Sequence, residues 1–341
     1  MKFAYIQDMV GNRGISSYRV TDGKAYSFDT DELYSPNFSP AGLNEECFLN
    51  SYNYPFLFNN SHFIEWSEFK NDLPDLDLDL IFLVMERTLD REDEFPWAKF
   101  SNIREKYPDA KIVGYVKEIW VGQPYDYENP KHKARIEFLK KCDAVIYNVP
   151  ELESAPQFKH LVENVGKPFN FVSLPQNIDY YYDNFGGDKD LSIWEYVPYQ
   201  HQRRYRTNEF AEHISKKYDI PIRRKSLLPN QDFNHLHIID FVKQWSSSLF
   251  HFNLDPIEYY PGNQIIQVIS TGSINLGGVN DYHRLLCPET ATCDLDILEK
   301  RFIEYLEDEN KRNEIRQKTW DRLNKYFSFE STRQQIKNIK Y

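Results

Sequence analysis

The sequence predicts an α/β protein of two doubly wound domains, and three observations carry that prediction. Short apolar runs rich in Val, Ile, Tyr and Phe alternate with amphipathic helical stretches. A polar break containing a Gly-Gly pair at 186–187 interrupts the alternation, which then restarts. Beyond Asp294 the chain reads as helix almost throughout, with Leu298, Phe302, Tyr305 and Leu306 at helical spacing behind a capping Asp294.

In order, "KFAYIQD" (2–8) reads as the first strand, followed by the polar loop "MVGNRGISS". "DLIFLVME" (79–86) and "KIVGYVKE" (111–118) are continuous apolar runs of the kind buried in a parallel sheet. "FSNIREKYPDA" (100–110) between them is amphipathic, and "KARIEFLKKCD" (133–143) sets Ile136, Leu139 and Cys142 on one helical face before the strand "AVIYNV". "QFKHLVENVG" then precedes the run "FNFVSLPQNID". "YYYDNFGGDKD" (180–190) reads as a turn-rich break, which places domain boundaries at 1–185, 186–327 and a returning terminal helix at 328–341. The second set runs strand 191–197, helix 204–219, strand "IPIRR", helix 235–248, strand "LFHFNL", helix from Pro261, and strand "SINLG". Two such sheets would hold a ligand beyond their strand C-termini.

Composition limits the function classes. A chain of 341 residues with 41% hydrophobic and 16% aromatic residues has material for two cores. The N-terminus lacks a secretory signal and no apolar run has the length of a membrane span, so a soluble, cytoplasmic protein is expected. Four cysteines without a C-x-x-C pair point to reduced thiols rather than zinc. The net charge of −11 disfavours nucleic acid as a default partner, although "HQRRYR" and "IRRKS" form basic islands in the second half. The acidic runs at 72–80 and 90–94 read as solvated faces; "DLDLDL" is a strand entry, and no metal site is expected.

The stretch "PGNQIIQVISTG" carries the chemistry. Proline at a helix start costs no hydrogen bond, and Gly262 allows close approach of a ligand. The N–H groups of Gly262, Asn263 and Gln264, with the positive end of the helix dipole, suit a diphosphate.

With these residues in view, the second half resembles the GT-B fold glycosyltransferases, which bind a nucleotide-sugar mainly through their C-terminal domain. "SLPQNIDYYYDNF" is similar to that family's interdomain "P-N-G-x-D-x-x-x-F"; Pro175 and Asp179 keep its register, while Asn177 falls one place late and Phe185 two. "VPYQHQRRYRTNEF" is similar to the loop after the first strand of that domain in spore-maturation-type members and T-even phage DNA β-glucosyltransferases. "PGNQIIQVISTG" resembles their donor-site helix, and the closing helices resemble the family's tail.

The resemblance implies a metal-independent sugar transferase of two Rossmann-like domains, with a nucleoside-diphosphate sugar, UDP-sugar first, as donor and no resident cofactor. It implies that Arg203, with Arg204, meets the donor phosphates. Gln264 stands where related proteins have a phosphate- or sugar-binding arginine, and Gln267 where they have the glutamate that grips the ribose. Glu258 is the candidate for the first acid of the family's Glu-x7-Glu pair, one residue out of register. An amide can still bond a ribose hydroxyl or a phosphate oxygen. Gly11, Arg13 and Ser16 lie in the loop that would touch donor or acceptor. Glu118, ahead of Asp8, is the candidate general base, each at a predicted strand C-terminus. His201 and His283 read as surface loop histidines. The acceptor stays open between a carbohydrate and, as in the phage enzymes, a modified DNA base; a non-catalytic nucleotide-sugar binder is the third reading.

Overall fold

The computed structural model describes residues 1–7, 16–34, 53–65, 69, 73–85, 103–116, 128, 130–150, 156–195, 202–224, 238–254 and 264–341. The chain divides into two compact units, Met1–Pro175 with Thr332–Tyr341, and Gln176–Ser331.

The first unit is built on an eight-stranded sheet, in the order β3-β2-β4-β1-β5-β6-β7-β8. Its strands are β1 (Phe3–Gln7), β2 (Tyr18–Thr21), β3 (Lys24–Ser27), β4 (Ser61–Glu65), β5 (Leu80–Met85), β6 (Lys111–Val116), β7 (Ala144–Tyr147) and β8 (Phe169–Phe171). The run from β4 to β8 is parallel, as the continuous apolar segments require; β2 is antiparallel to both β3 and β4. That hairpin is absent from the sequence reading, although Asp22-Gly23, with φ of 50° and 73°, is the turn chemistry that marks one. Among the described residues before β8 the helices are α1 (Ile103–Lys106), α2 (Pro130–Leu139) and α3 (Pro156–Val165).

Register explains the core. Tyr18 pairs with Phe63, Phe63 with Tyr5 and Tyr5 with Phe82, so four aromatic rings form one row across β2, β4, β1 and β5. Tyr18 and Phe63 stack at 4.9 Å, and Tyr54, from a 3-10 turn over Tyr54–Leu57, closes the row against Tyr5 and Phe82 at 5.6 Å each. The buried Tyr54 hydroxyl donates to the Ser173 carbonyl at 2.9 Å, which removes the cost of its burial. In "DLDLDL", Leu78 and Leu80 are buried while Asp75, Asp77 and Asp79 face solvent.

The second unit holds four parallel strands in the order β10-β9-β11-β12: β9 (Asp190–Glu195), β10 (Ile222–Arg224), β11 (Ser248–Phe252) and β12 (Ile274–Leu276). Its helices are α4 (Ile178–Phe185), α5 (Gln202–Tyr218), α6 (Ile238–Ser246), α7 (Gln264–Ser270), α8 (Asp281–Leu286), α9 (Leu295–Glu307) and α10 (Glu309–Phe327). Asp294 caps α9 by accepting from the N–H groups of Asp296 and Ile297. Leu298 and Phe302 of α9 then pack on the sheet, with Phe302 and Phe250 rings 4.9 Å apart.

The segment 180–190, read from sequence as a turn-rich break, is corrected by the structure. Asn177 caps α4 through its side chain, and Ile178, Tyr181 and Phe185 bury one face of that helix. Spacing of i, i+3 and i+7 outweighs the turn composition because the face has a core to enter. The α4 helix packs on α6 and α7, so contacts change unit at 175/176 rather than at 185/186. The last helix, α11 (Phe329–Lys337), ends in the first unit. There Ile336 and Ile339 are buried, Gln335 accepts from the Ser173 N–H at 2.7 Å, and Lys340 and Asn170 exchange two hydrogen bonds. Among the described residues no helix is long and apolar enough to cross a membrane.

Candidate functional site

Parallel strands end together, so each unit presents one edge at its strand C-termini, where loops into helices begin. In the first unit this edge gathers buried polar side chains. Gln7 ends β1 and is paired in register with Glu65, the end of β4; both are buried. Asn148 follows β7, and His132 and Arg135 lie in the first turns of α2, which follows β6; all three are buried. Burying such groups is costly unless they are bonded, so their concentration at one edge singles it out. Glu65 escaped the sequence reading, although a carboxylate ending the run "SHFIE" was its signal.

Ser16 arrives at the same edge, because β2 runs antiparallel to β4 and starts where β4 ends. It is exposed, its N–H donates to the Tyr34 hydroxyl at 2.6 Å, and the neighbouring Ser17 hydroxyl accepts from the Glu65 N–H at 2.9 Å. Asp8, Gly11, Arg13 and Glu118 lie outside the described residues. The strands ahead of Asp8 and Glu118, β1 and β6, flank β5 and run parallel to it, so they end at this edge.

In the second unit, β9 leads toward α5, β11 toward α7 and β12 toward α8. Arg203 and Arg204 fall in the first turn of α5, and their side chains lie outside the described residues, as do Glu258, Gly262 and Asn263 entirely. Gln264 opens α7 and Gln267 sits one turn on. Both are half-buried, whereas Ile265, Ile266, Val268 and Ile269 are buried, so the two amides share the more open face of the helix. The Thr207 hydroxyl of α5 accepts from the Leu254 N–H at 3.0 Å and ties α5 to the end of β11.

Two further side chains sit here with polar atoms unused. Asn208 of α5 is buried, and both polar atoms of its amide lack a hydrogen-bond partner among the described residues. His283 is corrected from a surface loop residue to a fully buried one on α8. Asn280 caps that helix and its side-chain oxygen also lies 2.5 Å from His283 Nδ1, while Nε2 has no partner among the described residues. The ring occupies the space a side chain at Gly278 would need. The string "GGVNDYH", a glycine pair before an Asn cap, was the legible signal.

Burial holds His283 neutral, with its pKa lowered to about 3; His251 on β11 is likewise pushed to about 3 by burial and then by the charge of Lys189. The sign follows. Below about pH 6.5 the unfolded chain binds a proton at each histidine that the folded chain refuses, so stability is intact above that value and falls on acidification. Urea unfolding should lose about 1.4 kcal/mol per pH unit for each histidine between about pH 6 and 4. A flat profile over that range would place these rings in contact with solvent.

Comparison with solved structures decides the fold. The chain matches an apo structure of OtsA with a TM-score of 0.55 at 11% identity, over 79% of this chain and 74% of that one. It matches α,α-trehalose 6-phosphate synthase from Burkholderia multivorans with a TM-score of 0.51 at 10% identity, over 76% and 69%. Anabaena Alr3699/HepE, solved in complex with UDP and glucose, gives 0.50 at 11% identity, over 76% and 77%. The chain has the GT-B fold. No protein-family model matches it, and no curated protein matches it in sequence. At such identities the shared property is the GT-B fold itself, two α/β units each built on a largely parallel sheet.

Proposed function

We infer that this GT-B protein transfers a sugar from a nucleoside-diphosphate donor, a UDP-sugar, to an acceptor. The observation that carries the reading is the second unit's strand C-terminal edge, where Asn208, Gln264, Gln267 and His283 come from α5, α7 and α8, the helices that follow three neighbouring strands of the sheet, β9, β11 and β12. The fold supports it, and so does the HepE relative solved with UDP and glucose.

In this reading the N–H groups at the start of α7 and the guanidinium groups of Arg203 and Arg204 take the diphosphate, Glu258 helps orient the sugar, and Gln267 bonds the ribose. The bond between the anomeric carbon and the phosphate oxygen breaks, and the diphosphate leaves with the electron pair, its charge held by those donors. The acceptor oxygen forms the new bond, and its proton passes to a carboxylate, for which Glu118 and then Asp8 are the candidates. In this reading the cations and N–H donors on the diphosphate supply the charge stabilisation, and the transfer uses no resident metal or cofactor. The acceptor is a carbohydrate, or a modified DNA base; the latter requires duplex binding that weakens steeply with salt.

A thermal-shift panel of nucleotides and nucleotide-sugars tests the donor, since a specific ligand stabilises by mass action. UDP and UDP-glucose should raise the melting temperature, and adenosine nucleotides should not. Gln267→Ala should weaken UDP about fivefold, on the order of 1 kcal/mol for one neutral hydrogen bond, while Gln267→Glu should preserve or improve it. A UDP complex with the ribose away from Gln267 would end that assignment. The uncharged pair Gln264 and Gln267 also favours a second reading, a nucleotide-sugar binder without turnover. Hydrolysis of UDP-glucose in the absence of acceptor separates the two.

A further inference from the structure

The second unit carries a recess of 350 Å³ lined by Tyr182 of α4, Gly272, and Asn313, Arg316, Gln317 and Trp320 of α10. Gly272 and Ser273 immediately precede β12, so the recess opens at the strand N-terminal edge. The start of α7 and the residues after β12 belong to the opposite edge of the same sheet. The recess is therefore separate from the proposed donor site, and its volume falls within the range of small-ligand pockets, roughly 300–1,000 Å³.

Its chemistry is specific. Tyr182 is 46% exposed, a large aromatic residue left partly uncovered, and its ring lies 4.8 Å from the Trp320 ring at 54°. Arg316 is held in place by its Nε donating to the Gly272 carbonyl at 2.7 Å, which leaves its terminal N–H groups available. No carboxylate among the described residues pairs with Arg316. Lys189 is close enough that Arg316, after burial, helps lower its pKa to about 8, and among the described residues its ammonium donates to the Phe185 and Ser246 carbonyls. In a chain of net charge −11 these are two neighbouring cations with no carboxylate partner among the described residues. Gln317 donates to Asp321 at 2.7 Å, which orients its amide and leaves the oxygen to accept a hydroxyl.

An aromatic ring pair, two amides and a fixed guanidinium match one ligand class. The apolar C–H face of a pyranose covers the rings, its hydroxyls meet Asn313 and Gln317, and an acidic substituent meets the arginine fork. We propose that this recess is a second saccharide site, which binds an acidic sugar unit at the strand N-terminal edge of the second unit. Binding there requires no transfer chemistry and stands apart from the donor reading.

Saturation-transfer NMR on the full chain, with glucuronate, glucose and inorganic phosphate as probes, tests the proposal. Glucuronate should receive saturation at its ring protons, with glucose binding at least tenfold more weakly. Tyr182→Ala and Gln317→Ala, both at exposed positions, should each raise the glucuronate Kd at least fivefold with the melting temperature unchanged, and Arg316→Gln should abolish the preference over glucose. Saturating UDP should leave the glucuronate signal in place. Absence of transfer to glucuronate, equal binding of glucose, an unchanged Kd in the Tyr182 and Gln317 variants, or displacement by UDP would each overturn the site. Phosphate binding with the affinity of glucuronate would reduce it to an anion site and would also overturn it.

Discussion

Gly277→Ala is expected to destabilise the second unit by about 3–5 kcal/mol, a large share of the roughly 5–15 kcal/mol that holds an ordinary domain folded. Gly277 has φ of +94°, a conformation that costs a side chain on the order of 1–3 kcal/mol. An added Cβ would also sit 2.1 Å from the Asn253 carbonyl oxygen and 3.1 Å from its carbon. That backbone has no room to retreat. The Asn253 N–H donates to Leu276 at 2.8 Å, the Gly277 N–H donates to Thr290 at 2.9 Å, and the Thr290 hydroxyl bonds Asn275 at 3.0 Å. Gly187→Ala is the control, because nothing lies within 4 Å of an added Cβ there; it should stay within about 1 kcal/mol of the parent. Urea unfolding followed by near-UV circular dichroism reads both. An unchanged midpoint for Gly277→Ala would mean that the loop after β12 yields, and with it the framework assigned to the donor edge.

Arg203→Ala should weaken UDP binding by about 1.5–3 kcal/mol, roughly 10- to 150-fold, the scale of a charge-assisted hydrogen bond to phosphate. Arg206→Ala should matter far less. Arg206 is exposed, and its guanidinium already donates to the Cys293 carbonyl at 3.2 Å. Isothermal titration of UDP at two ionic strengths separates the cases, since loss of a phosphate contact also flattens the salt dependence. Equal and small effects at both positions would reduce the "HQRRYR" island to a solvated helix start.

The central strands of the fold were legible in the sequence, because each parallel strand carries its own signal. "DLIFLVME" and "KIVGYVKE" are apolar on both faces, which only burial on both faces permits. The closing helices were legible for a similar reason, since Asp294 and the Leu298, Phe302 and Tyr305 spacing define a cap and a stripe within a few residues. Local chemistry also located the two amides of α7, whose more open face follows from the apolar residues around them.

What the sequence left undecided depended on partners distant along the chain. Whether "NIDYYYDNF" turns or coils into α4 rests on the face that α6 and α7 offer to Tyr181 and Phe185, some 60 to 90 residues later. The β2–β3 hairpin needed β4 to complete its ladder, and the aromatic row through Tyr18, Phe63, Tyr5 and Phe82 exists only once four strands are in register. Glu65, Asn208 and His283 looked like ordinary polar residues because burial is a property of the assembled edge. Periodicity within ten residues selects helix or strand; the tertiary structure alone decides which polar groups lose their water, and so where a ligand gains most by bonding them.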